Sequence, residues 1–310
     1  MIGVYVPEPD AQQQVQRIAE AEQAGVPSFW LTMGGTAPDV GIIYGAAAMI
    51  TSKIKLGTSI VPIAHAQQAV ALNALAPGRF RLGIGPSHPT SMSQFFGVEY
   101  VRPLKELREY LTILTDLIHK GEATYEGEFA QTHGATIPAP IDVPVMASAL
   151  QAGSFRLCGE LSDGAISWVA PWNYLRDLAL PSMKEGAAKA GRPTPPLAAH
   201  TPVFFGNRED MLGQARKLLG RYTTLPNYQR MMVAAGFDDV EAGGNPDPFL
   251  EGLVVSGSDD QVIDGLTTII REGAGEIIVH PVYTDGDRAA QNAHLFEVVT
   301  AANKAAGIAV

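Results

Sequence analysis

The feature that most constrains this chain is a repeated switch between short apolar runs and longer helical patterns. Ile2–Val6, Phe29–Leu31, Ile54–Val61 and Phe80–Ile84 read as strands. Pro144–Leu150, Gly164–Val169, Leu197–Phe205 and Gly275–Val279 read the same way. Nearly every run is followed by a helical pattern, and that alternation predicts a parallel sheet. Eight such units in 310 residues favour a closed (β/α)8 TIM barrel with loop insertions, as one domain over 1–310. The competing arrangement is a doubly wound open sheet. It is disfavoured because the first turn lacks the glycine-rich dinucleotide signature.

The helix signals agree with this reading. Asp10, Asp39 and Asn207 stand where helix N-caps are needed, and Ser258 with Gln261 forms a capping-box pattern. Leu104, Leu107, Leu111, Leu114 and Ile118 follow a three-four spacing, which predicts one long amphipathic helix ending at Gly121. The polar, Gly- and Pro-containing stretch from Glu122 to Asp142 reads as an excursion across the surface. A short apolar run, Gly252–Ser256, is not needed for the barrel.

Composition narrows the function. The net charge of -10 and the absence of a basic run argue against nucleic acid as the main partner. No apolar run reaches the ~20 residues of a membrane span. Ile2–Val6 already reads as a strand with no basic segment before it, so the expectation is a cytoplasmic protein without a membrane partner. The single cysteine, Cys158, excludes an intramolecular disulfide and sits in an apolar helical stretch, where a buried hydrophobe is expected. The other histidines, His65, His119, His133, His200 and His294, lack metal-ligand spacing.

In a parallel barrel, chemistry is done just past the carboxyl ends of the strands. That criterion selects Thr32, Met33, Gly34, Thr58, Ser59, Ser87, His88, Gln151, Gly153, Ser154, Trp168 and His280. His88 follows the strand Phe80–Ile84 and is the candidate proton donor or cofactor contact, a solvated loop histidine being the plain alternative. The strand-to-helix turn Gln151-Ala152-Gly153-Ser154 is built of small residues. The Gly153 and Ser154 N–H groups there are expected to face an anion at the helix N-terminus. Trp168 and Trp172 can wall an aromatic pocket or simply pack on the rim. Arg79, just before a strand, is expected to be structural.

The string LNALAPGRFRLGIGPSH resembles the luciferase-like monooxygenase family, in the branch that depends on the deazaflavin coenzyme F-420. FWLTMGG, IKLGTSIVP, RPLKELREYLTIL, PVMASAL and VVSGSDDQVIDGL match in family order along nearly the whole chain. The resemblance implies a barrel that holds the deazaflavin ring at its mouth. Thr32 and the segment of Thr58, Ser59, Ile60 and Val61 would support the ring, Ser87 and His88 would line it, and Leu150, Gln151, Ala152, Gly153 and Ser154 would hold the phosphate. The implied reaction is hydride transfer between the deazaflavin and a small-molecule substrate, by a homodimer. Two alternatives follow from the same resemblance: an FMN-dependent two-component monooxygenase, and a barrel that has lost its cofactor and serves a binding role.

Overall fold

The computed structural model describes residues 1–33, 38–62, 66–87, 97, 101–237 and 246–308. Eight parallel strands close into a (β/α)8 barrel: β1 (Ile2–Val4), β2 (Ser28–Leu31), β3 (Lys55–Thr58), β4 (Phe80–Ile84), β7 (Val145–Ser148), β8 (Gly164–Ser167), β9 (Leu197–Phe205) and β11 (Glu276–Pro281). Closure comes from β1 on β11, with Ile2 opposite Ile277, and from β8 on β9, with Ala165 opposite Leu197. Three further strands lie outside the ring. β5 (Glu122–Glu126) and β6 (Gln131–Thr136) pair as an antiparallel hairpin, and β10 (Val255–Gly257) adds to the side of β9. The surface excursion is therefore a hairpin, and the run Gly252–Ser256 ends in a strand outside the ring.

Side-chain alternation sorts the barrel strands into two faces. Outward residues such as Ile2, Val4, Phe29, Leu56, Phe80 and Leu82 join the helices in one large core. Inward residues from five strands (Trp30, Met146, Ile166, Ala198 and Ile278) touch one another as a separate buried cluster, which is the filled barrel interior. Gly57 is required there: a Cβ on it would lie 2.4 Å from the Trp30 ring.

Below that layer lies a polar floor that the sequence reading did not anticipate. Glu276, at the start of β11, accepts from Ser28 Oγ at 2.6 Å and from Trp30 Nε1 at 2.8 Å. It also pairs with Arg81 of β4, whose guanidinium stands 4.3 Å from the Trp30 ring centroid. Burial pushes the Glu276 carboxyl up, but Arg81 and these hydrogen bonds outweigh burial and hold it below its usual range. A charged pair at the strand starts, away from the mouth, fits a role in stability.

The caps form as expected. Asp10, Asp39 and Asn207 side chains accept from the backbone N–H groups of Gln13, Ile42 and Asp210. The helix Pro103–Lys120 ends at Gly121 with φ 84°, the left-handed conformation that glycine tolerates. Arg79 donates to the carbonyl oxygens of Ala48, Thr51 and Ile54, so it ties a helix end to a strand start. Cys158 is fully buried, and burial pushes its thiol up to about 12.

Candidate active site

Three groups of residues meet the solvent side of the strand ends. The first is the segment after β3. Ser59 N–H donates to Leu31 O at 2.7 Å, and Val61 N–H donates to Gly83 O at 3.0 Å, so the segment stays threaded between β2 and β4. The Ser59–Ile60 peptide bond is cis. Thr32 Oγ1 donates to Ile60 O at 3.0 Å and accepts from Ile60 N at 3.1 Å. Met33 N–H adds a bond to the same carbonyl at 3.1 Å. The Ile60 side chain packs on the interior layer, and Ser59 Oγ is buried with no partner among the described residues. Thr58 and Val61 differ from Ser59 and Ile60. Both are buried, and the Thr58 hydroxyl is engaged by Gly83 as donor at 2.8 Å and acceptor at 2.7 Å. They shape the segment and do not reach the mouth.

The second group is the turn after β7. The helix that follows runs from Ala152 to Leu161. Ser154 Oγ accepts from both Leu150 N–H and Gln151 N–H at 3.1 Å. The Gln151 side chain is turned away and donates to Asn227 O at 2.8 Å. Tyr174 OH donates to Leu150 O at 2.8 Å and fixes the turn from outside. One expectation needs correction. Ser154 N–H does not face outward; it donates to Gln151 O at 3.0 Å, as tight first turns do. The outward donors of this first turn are Ala152 and Gly153 N–H, which have no acceptor among the described residues. A Cβ on Gly153 would press on the Leu104 side chain at 3.3 Å and meet nothing else within 4 Å. Two unpaired N–H groups at a helix N-terminus, which carries partial positive charge, are a donor set suited to an anion.

The third group is aromatic. Tyr5, just after β1, stacks on His280 of β11 at 4.8 Å, and Trp168, just after β8, stands 5.1 Å from the same ring. His200 of β9 completes the group, 5.7 Å from Tyr5 and 5.2 Å from Trp168. Burial keeps all three titratable members neutral. The Tyr5 hydroxyl is pushed up to about 12, His280 is pulled down to about 4, and His200 to about 3, the last also by His280.

Trp168 and His280 were expected at strand ends, whereas Tyr5 and His200 were not. Both alternate with outward apolar residues in register with the interior, which is the signal that would have found them. Ser87 is half-buried with φ 58°, at the end of the described part of the β4 loop. His88 and Gly34 lie outside the described residues.

The luciferase-like monooxygenase family model matches residues 3–276. A 5,10-methylenetetrahydromethanopterin reductase of Methanopyrus kandleri is 24% identical over 287 residues, covering 78% of this chain and 81% of the relative. An F-420-dependent glucose-6-phosphate dehydrogenase of Nakamurella multipartita is 33% identical over 178 residues, and the match spans about half of each chain, 53% and 52%. The solved structure of an F-420-dependent secondary alcohol dehydrogenase superposes with TM-score 0.80 at 16% identity, over 99% of this chain and 98% of the other.

Proposed function

The chain belongs to the luciferase-like monooxygenase family, and from that premise we propose that it is an oxidoreductase transferring a hydride between coenzyme F-420 and a small organic substrate. The observation that carries the reading is the pairing of two features at one barrel mouth. One is the Ser59–Ile60 segment, held by Thr32. The other is the helix N-terminus at Ala152 and Gly153. A flat ring with a phosphate tail needs both a rigid platform and an anion cradle. The glucose-6-phosphate dehydrogenase and the secondary alcohol dehydrogenase, both named for F-420, support that coenzyme as the occupant.

In this reading the coenzyme supplies the hydride chemistry when bound. Ile60 and Ser59 back the ring, with Ser59 Oγ as the buried polar atom that a ring heteroatom would satisfy. Ala152 and Gly153 N–H hold the phosphate, and the Ser154 hydroxyl keeps the turn in shape. The aromatic group of Tyr5, Trp168 and His280 excludes water from the reacting side. His88 is the proton donor in this proposal.

We also propose a homodimer through the helix Val40–Ile50. Ile42, Met49 and Ile50 are 74%, 71% and 58% exposed on it, and Leu75 on the neighbouring helix is 44% exposed. Four large apolar side chains on adjacent helices form a patch that burial against a second copy would stabilise. Among the described residues no helix is long and apolar enough to cross a membrane. Titration of the purified protein with F-420 tests the central reading, with binding lost in Gly153→Asp as the expected result.

A further inference from the structure

His200 and His280 do something that the coenzyme reading leaves unused. His200 is only 6% exposed, and among the described residues the buried Nδ1 atom of each ring has no hydrogen-bond partner. Native interiors rarely leave such atoms unpaired, so two in one aromatic cluster mark a place where a ligand atom is expected. The cluster has a definite position. β9 is four strands from β3 in either direction around the eight-stranded ring. His200 therefore faces the Ser59–Ile60 segment across the mouth, and Tyr5 and Ile60 pack on the same interior layer. A platform on one wall and the histidines on the opposite wall would bracket a substrate held between them.

The chemistry of that wall selects the substrate. A neutral imidazole offers one N–H donor and one lone pair, and no charge. Burial keeps both rings neutral. A carboxylate or phosphate would lose its water here without gaining a counter-charge from the rings. The cation whose field reaches Tyr5 is Arg221, which is exposed and donates to the Tyr222 hydroxyl at 2.9 Å. An uncharged oxygen suits the pair: a carbonyl oxygen can accept from a ring N–H, and a hydroxyl can accept from one ring and donate to the lone pair of the other.

We propose that His200 and His280 form the substrate-oxygen subsite, and that they select uncharged ketones and alcohols over anions. The place of this subsite in hydride transfer rests on the coenzyme reading above, while binding at the subsite does not. The probes are butanone and cyclohexanone, their alcohols, and the matched anions butanoate and cyclohexanecarboxylate. Protein labelled with nitrogen-15 histidine is titrated with each, with and without F-420, and the imidazole nitrogens are followed by NMR. His280→Phe, which keeps a ring against Tyr5, and His200→Gln assign the signals.

The expected result is a saturable shift of the His200 and His280 signals with a ketone or alcohol, at least tenfold weaker for the matched anion. No shift with any neutral probe, or an equal response to the anions, overturns the subsite. F-420 binding is read separately from its own fluorescence. Ketone shifts in a protein that does not bind F-420 uphold the subsite and refute the coenzyme. F-420 binding without ketone shifts does the reverse.

Discussion

The Thr32 hydroxyl bonds Ile60 on both sides, accepting from its N–H at 3.1 Å and donating to its carbonyl oxygen at 3.0 Å. One side chain thus fixes both polar groups of the residue that backs the ring. Thr32→Val keeps the shape and removes both bonds. Each contributes about 1 kcal/mol to holding the segment, so the variant is expected to melt a few degrees lower and to bind F-420 about tenfold more weakly. Fluorescence titration beside a melting curve checks this, and unchanged affinity would release Thr32 from the role.

Gly153→Asp places a carboxylate where Ala152 and Gly153 N–H are open. It opposes a phosphate by charge and by volume, and F-420 binding is expected to be lost. An aspartate in the first turn favours the helix itself, so the melting temperature should hold or rise slightly. A variant that binds normally would move the phosphate elsewhere.

The floor of the barrel tests stability apart from function. Glu276 is buried with three donors around it, Ser28, Trp30 and Arg81. Arg81→Met leaves the carboxylate without its counter-charge, and the expected cost is about 3 kcal/mol in urea unfolding. Double replacement by Arg81→Met and Glu276→Met should recover part of that loss. An Arg81→Met protein as stable as the parent would contradict a paired, buried Glu276.

Acid should weaken the fold through the two mouth histidines. Their folded values, about 4 for His280 and about 3 for His200, lie below the ordinary 6.5. As pH falls below 6.5, the unfolded chain takes up protons that the folded chain refuses. The stability is therefore intact above that value and is lost as pH drops towards the folded values. Each histidine contributes a slope of up to about 1.4 kcal/mol per pH unit in that window. Urea midpoints at about pH 7 and about pH 5 measure it, and His280→Gln should flatten the dependence. An unchanged slope in that variant would show that His280 is not buried neutral.

The apolar face of the helix Val40–Ile50 gives the last of these tests. Ile42→Lys places a charge at its most exposed position. Light scattering on the eluted protein should show a dimer for the parent and a monomer for the variant. A monomeric parent would remove the second copy from the account.

The eight barrel strands were legible because each is an apolar run bounded by turn residues, such as Phe80–Ile84 between Gly78 and Pro86. The hairpin Glu122–Thr136 was not, because its residues are largely polar or exposed on both faces and carry no period-two apolar signal. The turn at Gln151–Ser154 was legible as a strand-to-helix turn, but which N–H groups stay unpaired depends on first-turn hydrogen bonds that residue types do not specify. Arg81 and Glu276 are 195 positions apart and meet only because the barrel closes. His200 was set aside for lacking metal-ligand spacing. Its neutral, buried setting is a property of four strands brought together, with Tyr5, Trp168 and His280, and no local stretch contains it.

The most direct measurement is a titration of the purified protein with F-420 and, separately, with FMN, followed by tryptophan fluorescence. Trp168, 5.1 Å from His280 at the mouth, is the reporter. The account predicts saturable quenching by F-420 in the micromolar range and a much weaker response to FMN. Preference for FMN would replace the coenzyme with a flavin, and binding of neither would contradict the hydride-transfer reading itself.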